Sequence, residues 1–158
     1  MTLRERLHDD TIAAMRSGDA LRRDVLRMAQ NAIYTIEKAK RVALSEDEVL
    51  GVIVREVKTR RESVDAFRGG GREDLASKEE AEIAILSGYL PQPLTDDQLR
   101  ALVDEAVAAS GATSARDMGK VMGILSPKIR GRADGKAASG AVARALAEAE
   151  RAAGRAAG

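Results

Sequence analysis

The sequence predicts an all-α protein built as two helical domains, and three observations carry that expectation. Apolar residues recur at three- and four-residue spacing through most of the 158 positions, and no period-two alternation marks a strand. Thr2 with Glu5, Ser45 with Glu48 and Thr95 with Gln98 are candidate capping boxes, each at the start of such a run. Pro91-Gln92-Pro93 interrupts the pattern once, because each proline lacks an N–H and restricts the residue before it. The expected divisions are an N-terminal domain of about four helices at 1–90, a C-terminal domain of about three helices at 95–150, and a flexible tail at 151–158.

The elements follow in order. The Thr2 box opens a first helix over 3–16, and Ser17-Gly18-Asp19 breaks it. A second helix is expected over 20–42, with Leu21, Val25, Met28, Ala32 and Ile36 as its inward face. Ser45 opens a third, to Arg68, whose stripe is Val49, Ile53, Val57, Val64 and Phe67; Gly69-Gly70-Gly71 ends it. The fourth runs over 73–89 with Leu75, Ile83 and Leu86 inward. Thr95 opens the fifth, which Gly111 should close in the left-handed conformation. Ser114 opens a short sixth with Met118, Val121, Met122 and Leu125 inward, ended by Pro127. Asp134 reads as the N-cap of a last helix carrying Val142 and Leu146 to Arg151. Beyond it, Arg151-Ala-Ala-Gly-Arg-Ala-Ala-Gly has too little apolar surface to dock and is expected to fray.

Composition excludes several chemistries. Without cysteine there is no disulfide, zinc thiolate site or cysteine nucleophile, which fits a reducing compartment. No apolar run approaches the ~20 residues that span a bilayer, and the start is charged rather than leader-like, so a cytoplasmic protein with no membrane association is the expectation; a monomer is the default for an oligomeric state the sequence leaves open. The single histidine, His8, sits beside Asp9 and Asp10 on a polar face and reads as a surface residue. No phosphate-binding GxxxxGK[ST] or dinucleotide GxGxxG is present. Glu79, Glu80 and Glu82 form an acidic run that could hold magnesium but reads as a solvated face. Methionines 15, 28, 118 and 122 lie at helical apolar positions and read as core. No catalytic residue, metal site or cofactor is therefore expected.

The charge is unevenly spread around a net of +1. Residues 46–82 hold seven cations against eleven anions, and residues 116–136 hold six against two. In the latter, Lys120, Lys128, Arg130, Arg132 and Lys136 are the candidate phosphate contacts, with Gly131 and Gly135 permitting close approach of a backbone. A solvated basic loop is the plainer alternative. With only Tyr34, Phe67 and Tyr89 as aromatics, stacking on unpaired bases is disfavoured, and a folded, backbone-dense RNA is the better match. Arg55, Lys58, Arg60, Arg61 and Arg68 could extend that surface, though pairing with Glu56, Glu62 and Asp65 along their own helix is favoured there.

Several blocks in fixed order carry a family resemblance: Leu26-Arg27-Met28, Arg60-Arg61 with Ser63, Gly71-Arg72-Glu73-Asp74-Leu75, and Lys78-Glu79-Glu80-Ala81-Glu82-Ile83. Tyr89-Leu90-Pro91, Asp117-Met118-Gly119-Lys120-Val121-Met122 and Gly131-Arg132-Ala133-Asp134-Gly135-Lys136 complete the set. In these the chain resembles the YqeY-like proteins from Leu3 to Glu148. The resemblance implies a C-terminal helical domain similar to the tail of the B subunit of the glutamyl/aspartyl-tRNA amidotransferase, which grips transfer RNA. It implies association with carbon–nitrogen ligase activity that uses glutamine as amide donor, but neither catalytic domain of that enzyme has a counterpart here. The expected function is a non-catalytic transfer-RNA-binding or accessory module, with an aminoacyl-tRNA synthetase or the amidotransferase as possible protein partner. The alternative is a helical protein-interaction module without RNA affinity.

Overall fold

The computed structural model describes residues 1–157, and every regular element among them is helical. The helices are α1 (Leu3–Ser17), α2 (Ala20–Lys40), α3 (Glu46–Gly69), α4 (Glu73–Ser87), α5 (Asp96–Ser110), α6 (Met118–Ile129) and α7 (Gly135–Ala157), with a 3-10 turn at Ala115–Asp117 before α6. Two compact units are present, Met1–Pro91 and a second from Gln92 onward.

In the N-terminal unit the capping boxes form as spelled. Glu5 N–H donates to Thr2 Oγ1 at 3.1 Å and Thr2 N–H to the Glu5 carboxylate at 2.7 Å, which satisfies two donors that a helix start otherwise leaves orphaned. Ser45 and Glu48 repeat the exchange at α3. Gly18 ends α1 at φ 76°, a conformation that costs glycine nothing. Leu3, Leu7, Val25, Leu26, Ala29, Ile33, Val49, Ile53, Val57 and Leu86 form the core. Burying side chains of this kind is worth about 1.5–3 kcal/mol each before ordering entropy is set against it.

Four expectations change in this unit. The buried line of α2 is Val25, Leu26, Ala29 and Ile33, while Leu21 and Met28 are exposed. Apolar residues occupy a wide arc of α2, and spacing alone does not say which edge meets α1, α3 and α4. Met15 is likewise exposed rather than core. Helix α2 stops at Lys40 because Arg41 turns left-handed at φ 57°, and α4 stops at Ser87. That leaves Tyr89 outside the helix yet buried; its hydroxyl donates to Asp10, Arg22 donates to the hydroxyl at 3.2 Å, and the Arg6 guanidinium lies 5.0 Å from the ring centroid. The residue that reads as the end of a helix is thus a peg joining α1, α2 and the exit of α4.

In the C-terminal unit Thr95 and Gln98 cap α5, and Gly111 closes it at φ 68°. The core is Leu99, Val103, Val121, Leu125, Ile129, Val142 and Leu146 with alanines 106, 138, 141 and 145, small residues that let helices approach closely. Met118 and Met122 pack against it as expected. Pro127 does not end α6 but stands inside it, two residues from its end, where the loss is the one hydrogen bond a proline cannot donate while Leu125 and Ile129 remain buried. Helix α7 runs past Arg151 to Ala157, although residues 151–157 are fully exposed. Four alanines and a C-terminal arginine in that stretch favour helix through propensity and the helix dipole. Gly158, the end of the expected tail, lies outside the described residues.

Candidate nucleic-acid interface

The basic segment folds as the 3-10 turn, α6, a tight turn and the start of α7. The turn is built on the backbone: Arg132 N–H and Ala133 N–H both donate to the Ile129 carbonyl, at 2.8 and 3.0 Å. Gly131 sits within it at φ 75°, so glycine is needed there for the chain's own turn rather than for a partner's approach. At Gly135 a Cβ would meet nothing within 4 Å, so the space over the α7 start is open.

The five candidate cations differ in what holds them. Arg130 and Lys136 are exposed and, among the described residues, meet no carboxylate within bonding distance. Lys120 reaches Asp117 and Lys128 reaches Glu105, each at 3.8 Å, with lysine side chains 72% and 43% exposed. Pairs this long and this wet are worth about 0–1 kcal/mol and exchange readily for another anion. Lys120 and Lys128 stand about 12 Å apart along α6. Arg132 is committed: its Nε–H donates to the Gln92 carbonyl at 3.1 Å, and its own carbonyl accepts from Leu94 N–H at 2.8 Å. Arg116, beside the same segment, is exposed without a carboxylate partner among the described residues.

The two anions of the segment do structural work. Asp117 accepts from Thr113 N–H at 2.9 Å and Ser114 N–H at 3.4 Å, and these backbone donors, with Lys120 as a lesser influence, hold its carboxyl below the usual aspartate range. Asp134 stands at the N-cap position of α7, its carbonyl accepting Ala138 N–H at 2.9 Å. Its carboxylate makes no capping hydrogen bond among the described residues, so its contribution is charge at the positive end of the helix.

Elsewhere the expected surfaces resolve differently. Arg60 is buried, not a surface contact; it pairs with Glu56 at 2.8 Å, as spacing suggests, and with Glu82 of α4 at 3.3 Å, which nothing local in the sequence signals. Arg68 reaches across to Glu73 and Glu80 at 2.9 and 2.7 Å rather than to Asp65. The acidic run of α4 is thus largely an ion-pairing face for α3. Glu79, the one member of the run without an ion pair among the described residues, has its carboxyl pushed up, by burial first and then by Glu82. Arg55, Lys58 and Arg61 are exposed and belong to the N-terminal unit. His8 is exposed on α1, at the rim of a groove of about 860 Å³ that Leu7, Ile33 and Tyr34 also line. Among the described residues no group of three or more His, Cys, Asp or Glu is placed to hold a metal ion, and no helix is long and apolar enough to cross a membrane. Arg144 and Arg151, inside the expected last helix, and Arg155, beyond it, are exposed on α7 and are not among the candidate contacts, because the charge cluster is bounded at Lys136.

Fold and site define a class, all-helical proteins with a basic turn between two helices of a small C-terminal unit. The chain belongs to the Yqey-like protein family, whose model matches residues 4–146. It is 30% identical over 130 residues to the protein named "Altered inheritance of mitochondria protein 41, mitochondrial" of Pyrenophora tritici-repentis, covering 81% of this chain and 71% of that one. It is also 31% identical over 67 residues to the uncharacterized protein C22F3.15 of Schizosaccharomyces pombe, covering 42% of this chain and 54% of that one.

Proposed function

We propose that the protein is a non-catalytic accessory module that binds the sugar-phosphate backbone of transfer RNA through the α6–α7 turn. The observation that carries the reading is a set of cations on an ordered turn with little to neutralise them: Arg130 and Lys136 unpaired, Lys120 and Lys128 in long, exposed pairs. Phosphates would displace such pairs at small cost, and each contact would release condensed counterions. Residues 92–158 contain no Phe, Tyr or Trp, so the mode is backbone contact and not base stacking. The family resemblance adds the substrate: the related tail of the amidotransferase B subunit grips transfer RNA, and this chain would serve such an enzyme or a synthetase without turnover of its own. The relative's name speaks of mitochondrial inheritance and brings no chemistry to this chain.

Fluorescence anisotropy with folded transfer RNA and an unstructured strand of equal length tests the reading. The cations of the turn should contribute about −2 to −4 to the log–log salt slope, and Arg130→Ala should flatten it by about one contact. Equal affinity for both RNAs would reduce the turn to a generic basic patch, and no binding at low salt would sink the proposal.

A second reading, a protein-interaction module, draws on one observation. Met15, Met28 and Tyr34 of α1 and α2 are 51%, 53% and 59% exposed, and methionines make adaptable contact surfaces. Substituting Met28 and Tyr34 would leave RNA affinity unchanged under the first reading.

A further inference from the structure

Helix α7 is longer than its core requires. Its last fully buried residue is Leu146, and it continues to Ala157. At 3.6 residues per turn, the buried residues Ala138, Ala141, Val142, Ala145 and Leu146 occupy one side. Lys136, Arg144, Arg151 and Arg155 fall within an arc of about 100° on the opposite, solvent-facing side. Between them on that arc stand small residues, among them Gly140, Ala147 and Gly154. The arginines use that room: Arg144 Nη1 lies 3.6 Å from where a Cβ of Gly140 would stand, and Arg151 Nε donates to the Ala147 carbonyl at 3.3 Å. Glu148 flanks the row; Arg100 of α5 engages it at 2.6 Å, and the charges of Arg151 and Arg144 act on it as lesser influences, so it offsets part of the row's charge without forming an ion pair with any member of it. None of Lys136, Arg144, Arg151 or Arg155 has a carboxylate partner among the described residues.

We infer that this face of α7 is a second row of backbone contacts, and that its ligand is a double-helical arm of RNA. The inference rests on the RNA-binding reading of the α6–α7 turn and names the class of RNA. The row spans about 28 Å on one rigid rod, of the order of one turn of a duplex. A duplex holds its phosphates in a regular, stiff array that such a rod can follow. A single strand does not, and it would need the aromatic platforms that residues 92–158 lack. An anionic membrane surface is the competing partner for a basic helix. It needs bulky apolar residues on the other face to enter the headgroup region, and beyond Leu146 that face carries only alanine.

The test uses the full chain, a perfect RNA hairpin of one helical turn, an unpaired strand of equal length, and vesicles of anionic phospholipid. The triple variant Arg144→Gln/Arg151→Gln/Arg155→Gln should flatten the salt slope on the hairpin by about 2–3 and leave the unpaired strand nearly unaffected. The corresponding triple Lys variant should keep the parent slope, and circular dichroism should show α7 intact in both. Arg130→Gln should flatten the slope by about one on either RNA. A Gln triple that binds the hairpin like the parent, while Arg130→Gln still weakens it, overturns the row and leaves the turn standing. Equal losses on both RNAs overturn the duplex assignment, and a loss confined to vesicles gives the face to a membrane. A parent chain that binds no RNA at low salt removes both readings.

Discussion

In α3 and α4 of the N-terminal unit, arginines meet carboxylates: Arg60 with Glu56 and Glu82, Arg68 with Glu73 and Glu80, Arg72 with Asp74. In the C-terminal unit, Arg130 of the α6–α7 turn and Lys136, Arg144 and Arg155 of α7 face water with no such partner among the described residues. The units also differ inside. The first packs Leu, Ile and Val around a buried tyrosine peg, and the second packs Val and Leu among alanines. Both solve the problem of a stable helical core. In the N-terminal unit one arginine, Arg60, is turned inward and Arg68 and Arg72 pair at the surface; in the C-terminal unit Arg100 pairs and Arg132 is tied to Gln92, while the turn and the outer face of α7 keep cations without a carboxylate partner among the described residues.

The contrast breaks first, and most visibly, at Arg60. Its side chain is 6% exposed and that of Glu82 12%, so Arg60→Ala would strand a nearly buried carboxylate. We expect a loss of about 3–5 kcal/mol in urea unfolding. If the two units are separable, calorimetry should show one transition lowered and the other unmoved; a single shifted transition would mean that they melt together. The RNA salt slope should not change, because no outward cation is touched.

Tyr89 sharpens the comparison with a pH dependence. Burial first, and then the Asp10 carboxylate, push its hydroxyl up to about 12, while an unfolded tyrosine ionises near 10. The folded state therefore keeps a proton that the unfolded state gives up, and the stability so contributed is complete below pH ~10 and is lost as pH climbs towards 12. Tyr89→Phe should cost about 1–3 kcal/mol at neutral pH, since Asp10 and Arg22 lose a partner. Unfolding curves across pH 9 to 11 should show the parent's stability falling where the variant's does not. Equal slopes would disprove the account of the peg.

The smallest effect belongs to the C-terminal unit. Because Asp134 contributes charge rather than a side-chain cap, Asp134→Ala should cost no more than about 0.3–1 kcal/mol. It should also raise RNA affinity slightly, by removing an anion beside Lys136. A loss of affinity would show Asp134 to be a contact in its own right.

What the sequence disclosed and withheld follows the range of the forces involved. The capping boxes at Thr2, Ser45 and Thr95 were legible because a cap is a contract between residues three apart. Gly111 was legible because only glycine is at ease in that conformation. The buried edge of α2, the Arg60–Glu82 pair and the Tyr89 peg depend on which helix lies beside which, and residues 22 or 79 positions apart leave no local trace. Pro127 and the tail depart from the local expectation for a physical reason: a proline near a helix end costs one bond, and an alanine-rich segment needs no docking to stay helical. Of the candidate site, the clustering and sign of the charges were readable, but not that Arg132 is tied to Gln92 or that α7 prolongs the basic surface.

The tie between Arg132 and the segment before α5 has a consequence for how such a unit can be inherited. Gln92 and Leu94 are the first residues after the proline boundary, and both are fastened to the α6–α7 turn, one through its carbonyl and one through its N–H. The incoming strand is thus anchored within its own unit, before any helix begins. A cut made just upstream of Gln92 would sever neither of those bonds, so the turn's fastening is carried wholly within the segment that begins at Gln92.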